Sequence, residues 1–168
     1  TLKIKELEGD NKIVLSKFNF TCDQIDDTIP KPLPQMLNFF MLVCGRPGSG
    51  KTSLILNLVC KRGKMYNKKF DKIFVYSPSL ITMKENPFEE LEEDQLYTEL
   101  TEENLTYALD NISDTGEKVL FIMDDVVNDM KKSTGIQTLL SKMLMNRRHL
   151  AGAGGSCSFI ITTQVYNK

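Results

Sequence analysis

Residues Gly45 to Thr52 read GRPGSGKT and satisfy G-x-x-x-x-G-K-[ST], with an apolar run before them and helically spaced apolar residues after them. In that setting the pattern builds a loop that cradles phosphate. Glycines let backbone N–H groups turn inward around phosphate oxygens, and the N-terminus of the following helix adds partial positive charge. Gly45, Arg46, Pro47, Gly48, Ser49, Gly50 and Ser53 are therefore expected to line the phosphates. Lys51 is expected to contact the β- and γ-phosphate oxygens, and Thr52 to offer its hydroxyl to Mg²⁺.

Such a loop needs a second metal anchor, an acid at the C-terminal end of a neighbouring strand. KVLFIMDD supplies five apolar residues and then Asp124 and Asp125. Asp124 is expected to hold Mg²⁺ through water, and Asp125 to orient the attacking water as catalytic base. A GTP-hydrolysing relative would place a glycine in D-x-x-G after this strand, but DDVVND has none, so ATP is favoured. The acidic stretch 85–117 contains no arginine and so offers no lid for small-molecule phosphoryl transfer. Gln164 closes the last apolar run, where it would point at the γ-phosphate. Asn146, Arg147, Arg148 and His149 end a helix, where cations suit the carbonyl end of the dipole.

The elements needed to position these residues are legible from periodicity. FFMLVC, KIFVYS, KVLFIM and SFIITT read as buried strands, at residues 39–44, 72–77, 118–123 and 158–163. Leu54, Leu58 and Val59 mark a helix after the loop, and Thr101 opens a second, over 100–112. Ile136, Leu139, Leu140, Met143 and Leu144 recur at i, i+3, i+4, i+7 and i+8, the stripe of a third. Short apolar strands alternating with helices imply an α/β fold with a mainly parallel sheet covered on both faces. Ahead of it, residues 2–20 alternate like a β-hairpin, and Pro30, Pro32 and Pro34 make a stiff connector. The expected division is thus 1–34 for hairpin and connector and 35–168 for the core.

Composition narrows the class further. The 168 residues carry a formal charge of −1 and 41% hydrophobic side chains, enough for about one domain with a real core. The longest apolar run, Phe39 to Cys44, is far below the ~20 residues that span a bilayer, so no membrane-spanning segment is expected. Cys22, Cys44, Cys60 and Cys157 lack metal-ligand spacing and read as reduced, mostly buried thiols. Residues 61–72 hold six Lys or Arg against one Asp, whereas 85–117 hold twelve acids and no base. The basic stretch is either a solvated face or a contact for nucleic-acid phosphates.

GRPGSGKTS, IFVYSPS, FIMDD, NRRH and FIITTQ, in this order and spacing, resemble the virion DNA-packaging ATPases of poxviruses and other large nucleocytoplasmic DNA viruses, within the FtsK/HerA superfamily. The resemblance covers about residues 37–168. It implies a RecA-like P-loop NTPase that assembles as a ring-shaped homo-oligomer on capsid proteins, in the host cytoplasm (the viral factory) and in the virion, and drives double-stranded DNA into the capsid with ATP and Mg²⁺. It further implies that Lys51 and Thr52 serve phosphate and metal, Asp124 and Asp125 metal and water, and Gln164 sensing of hydrolysis. The family's Asn-Gly-Arg-His is here Asn-Arg-Arg-His, so Arg148 is the matched arginine and Arg147 the departure. Both are expected on an exposed edge, acting on ATP held by a neighbouring subunit. Other ring-forming DNA translocases or helicases of the superfamily, and a nucleotide-binding scaffold without turnover, remain alternatives. Such folds carry a further strand after Gln164, so a C-terminally shortened chain is also expected.

Overall fold

The computed structural model describes residues 24–60, 65–81, 83–84, 87–88 and 90–164. The expected hairpin at 2–20 lies outside them. In chain order the elements are β1 (Phe40–Cys44), α1 (Lys51–Val59), β2 (Lys72–Tyr76), a 3₁₀ turn (Glu93–Gln95), β3 (Leu96–Tyr97), α2 (Glu102–Ile112), β4 (Lys118–Met123), α3 (Val127–Lys132), α4 (Thr134–Asn146) and β5 (Ser156–Thr163). The strands form one parallel sheet in the order β1-β5-β4-β2-β3. This is the α/β P-loop NTPase fold the alternation of strands and helices called for.

β4 explains why its sequence is a continuous apolar run. It pairs with β2 on one side and β5 on the other, and Val119 to Met123 are all 0% exposed. Helices cover both faces of a parallel sheet, so a central strand has no solvent face on which to place polar residues. On one face Phe74, Phe121 and Phe159 stack across three strands, with centroids 5.3 and 5.0 Å apart, beneath α2 and α4. On the other face Ile55, Leu58 and Val59 of α1 pack on Val75, Leu120, Ile122 and Ile160. β1 departs from its reading as a buried strand. It lies at the sheet edge, and Phe40 and Leu42 remain 46% and 44% exposed.

α2 starts where its sequence says it should. The Thr101 hydroxyl accepts from the Asn104 N–H at 3.2 Å, and the Asn104 side-chain oxygen accepts from the Thr101 N–H at 2.9 Å, a reciprocal cap. The proline-rich connector folds back on itself: Ile25 bridges Met36, and Asp26 N–H donates to the Gln35 carbonyl at 2.8 Å. It is held to the core by Ile29, 0% exposed, whose burial contributes about 1.5–3 kcal/mol. Asp26 meets Lys69 at 2.8 Å. The Lys69 ammonium and the Thr28 hydroxyl hold the Asp26 carboxyl down at about 2.

Among the thiols, Cys157 is buried and pushed up to about 12, and Cys60 is half-buried. Cys44 is exposed, which corrects its expected burial and follows from its place at the end of an edge strand. Cys22 lies outside the described residues. Among the described residues no helix is long and apolar enough to cross a membrane.

Candidate nucleotide-binding site

All five strands run parallel, so their C-terminal ends gather at one edge of the sheet. The GRPGSGKT loop leaves β1 there and enters α1. Gly48 and Gly50 sit at φ +76° and +87°, a region that side chains penalise, and a Cβ on either would meet nothing within 4 Å. These glycines are demanded by backbone curvature, and the space beside them is open. α1 begins at Lys51 with Gly50 as its N-cap, so no side chain caps its first-turn N–H groups. Those donors and the helix dipole suit an anion. Lys51 is only 8% exposed, and its ammonium donates to the Gly45 carbonyl at 3.0 Å and the Arg46 carbonyl at 3.4 Å. The charge is therefore held over the mouth of the loop.

The neighbouring strands deliver the acids. Asp124, immediately after β4, is 0% exposed, and its Oδ2 accepts from the Thr52 hydroxyl at 3.3 Å. Its Oδ1 accepts from the Thr162 hydroxyl of β5 at 2.6 Å, and Thr162 Oγ1 in turn accepts from the Asp125 N–H at 3.1 Å. Asp125 occupies the left-handed region at φ 56°. That backbone turns its carboxylate toward β5, where Gln164 Nε2 donates to Oδ2 at 3.3 Å. β5 lies between β1 and β4, so the end of the Gln164 strand is beside the phosphate loop, as the sequence reading required.

The donor set fits Mg²⁺. A hydroxyl and a carboxylate oxygen already touch at the loop, both are hard ligands, and Mg²⁺ is usually held by one or two such groups together with substrate phosphates. Among the described residues no group of three or more His, Cys, Asp or Glu could hold a metal, so a cage made only of those side chains is not the alternative. Thr52 and Asp124 would hold the ion, and when bound it would neutralise phosphate charge.

A family model described as the NB-ARC domain matches residues 21–149. The chain belongs to the NB-ARC domain family. It is thus a P-loop nucleotide-binding domain by family as well as by fold. The match takes in the phosphate loop, Asp124, Asp125 and Arg148. The NB-ARC chain is also similar to a solved structure, the assembled ATPase EscN in complex with its central stalk EscO from the enteropathogenic E. coli type III secretion system. Identity is 15% over 96% of this chain and 50% of that one, with a TM-score of 0.46, so the chain spans half the length of that neighbour. No curated protein matches it.

Two expected site residues stand elsewhere in this NB-ARC chain. Arg147 and Arg148 follow α4 at the opposite edge of the sheet, where Cys157 N–H donates to the Arg147 carbonyl at 2.8 Å. The length of β5, roughly 23 Å at about 3.3 Å per residue, separates them from the phosphate loop. Arg148 is exposed, as expected, but Arg147 is half-buried. Its Nε donates to the Asn38 carbonyl at 2.6 Å and its Nη1 to the Leu144 carbonyl at 2.9 Å. Arg147 therefore straps α4 to the chain entering β1 and is not presented to a neighbour. Arg147→Ala should lower stability by about 2 kcal/mol, the scale of charge-assisted hydrogen bonds lost to part-buried carbonyls, while leaving ATP affinity unchanged. Thermal unfolding beside an ATP titration checks both parts.

The sequence reading missed three hydroxyls beside Asp124. Thr162 lies one residue inside the end of β5, and Ser77 and Ser79 follow β2 in the YSPS segment. A polar residue at the C-terminal end of a buried strand was the available signal. A separate cleft of about 240 Å³, lined by Gln24, Asp27, Lys118 and Ser156 among others, opens at the far edge of the sheet, away from these residues.

Proposed function

We propose that the chain hydrolyses Mg·ATP at this edge and uses the energy to move double-stranded viral DNA into a capsid. The observation that carries the hydrolytic part is the convergence of Lys51, Thr52, Asp124, Asp125 and Gln164 at the C-terminal ends of three adjacent strands. In this reading Lys51 and the loop bind phosphate, Thr52 and Asp124 serve the metal, Asp125 is the base for the attacking water, and Gln164 senses the outcome. The DNA-packaging part rests on the ordered motif set that resembles virion-packaging ATPases. It carries with it a ring-shaped homo-oligomer, capsid proteins as partners, and the viral factory in the host cytoplasm or the virion as the place of work. Arg148 is the arginine that would reach ATP on a neighbouring subunit. In the basic stretch, Lys69 is engaged by Asp26, so DNA phosphates would be met chiefly by the other bases. Binding should then be insensitive to sequence and weaken steeply with salt.

A nucleotide-dependent regulatory or scaffold module is the second reading, favoured by the family match to a nucleotide-binding domain. ATP hydrolysis measured with and without duplex DNA, at several protein concentrations, separates the two. The motor reading expects turnover that rises with protein concentration and is stimulated by duplex DNA. Nucleotide binding with no turnover under any of these conditions supports the module instead, and strand separation would redirect the assignment to a helicase.

A further inference from the structure

The Asp124 carboxylate is held in two unlike ways. Oδ1 accepts one short hydrogen bond, from Thr162 at 2.6 Å. Oδ2 faces three hydroxyls at longer range: Thr52 at 3.3 Å, Ser77 at 3.3 Å and Ser79 at 3.4 Å. Oδ1 is thus the fixed end, and Oδ2 the end presented to the phosphate loop. Ser77 is fully buried, and its Oγ accepts from the Leu80 N–H at 3.1 Å. With its acceptor side used, its own proton is directed to Asp124 or to Ser79, whose Oγ lies 3.3 Å away. Pro78 sits between the two serines and fixes φ at the centre of this turn. Ser79 is exposed, so the cluster runs from the interior to the mouth of the site.

We propose that Ser77 and Ser79 are positioning residues that hold Asp124 Oδ2 toward Thr52 and so set the affinity of the site for Mg²⁺ in the presence of nucleotide. The proposal rests on the reading that Asp124 serves the metal. Physically, a buried carboxylate oxygen needs donors, and Thr52 has only one proton to give it while its lone pairs remain for a cation. The two serines supply the further donors that keep Oδ2 aimed at Thr52. Outer partners of this kind typically change metal affinity 10–100-fold when removed.

The test titrates MgCl₂ into the full chain with N-methylanthraniloyl-ATP as probe, and repeats nucleotide binding in EDTA. Ser79→Ala should raise the Mg²⁺ concentration for half-saturation several-fold and Ser77→Ala/Ser79→Ala about tenfold, with binding in EDTA unchanged. Ser79→Thr, which keeps the hydroxyl, should restore the original value. Because Ser77 is buried and also satisfies Leu80, a misfolded double variant leaves the decision to the exposed Ser79 pair of variants. Asp124→Ala is run in parallel. If it raises the half-saturation point and Ser79→Ala does not, the serine proposal fails alone. If neither moves it, the metal reading of Asp124 fails and takes the proposal with it.

Discussion

Lys51→Ala should weaken Mg·ATP binding by about 100-fold or more while the protein remains folded. The ammonium is nearly buried at the mouth of the loop and is the one cation there that α1 itself supplies. Each hydrogen bond from a charged donor to a phosphate oxygen is worth about 1.5–3 kcal/mol, and every 1.4 kcal/mol is about tenfold in affinity. Two such contacts therefore correspond to roughly 10²–10⁴. The protein-side cost is small. Lys51 donates to the carbonyls of Gly45 and Arg46, which lie in a loop at the surface where water can replace the ammonium. An ATP titration and a thermal melt of the same variant check the two halves. Unchanged affinity would remove the phosphate-loop assignment altogether.

The loop could be read from sequence because its geometry is dictated by local chemistry. A backbone that must turn through positive φ at Gly48 and Gly50 excludes most residues, so the requirement is written in residue types. The central strands were legible for a related reason, since burial on both faces leaves runs such as VLFIM with no polar member. What was illegible has physical causes too. α3, VNDMKK, has too few apolar residues to show a period, and β3 is two residues long, fixed by pairing with Val75 and Tyr76 and not by its own pattern. Edge against centre could not be assigned either, because FFMLVC is as apolar as a central strand. The site shows the same division. Lys51 and Thr52 open the helix after the glycine loop, and Asp124, Asp125 and Gln164 follow the ends of predictable strands, whereas Arg147 took a structural post that depends on where Asn38 lies, 109 residues earlier in the chain.

The second large effect concerns Asp125, and the backbone makes the choice of substitution decisive. At φ 56° most side chains are strained, and Asn and Asp tolerate the left-handed region better than others. Asp125→Asn therefore keeps the turn, and its N–H can still donate to Thr162 Oγ1. Asp125→Ala would mix a backbone penalty with the chemical one. What Asn removes is the basic oxygen that now accepts from Gln164. A positioned general base contributes about 10²–10⁴ in rate, so hydrolysis by Asp125→Asn should fall by that order while ATP affinity stays within about twofold of the parent. Asp124 shows why binding should survive. Its carboxylate, not that of Asp125, touches Thr52 at the loop, so the metal and phosphate contacts are left in place. Single-turnover hydrolysis together with an ATP titration measures both quantities. Binding lost as fully as in Lys51→Ala would make Asp125 a metal or phosphate ligand, and undiminished turnover would move the base to another residue. A fall in turnover at constant affinity assigns the proton acceptor to Asp125.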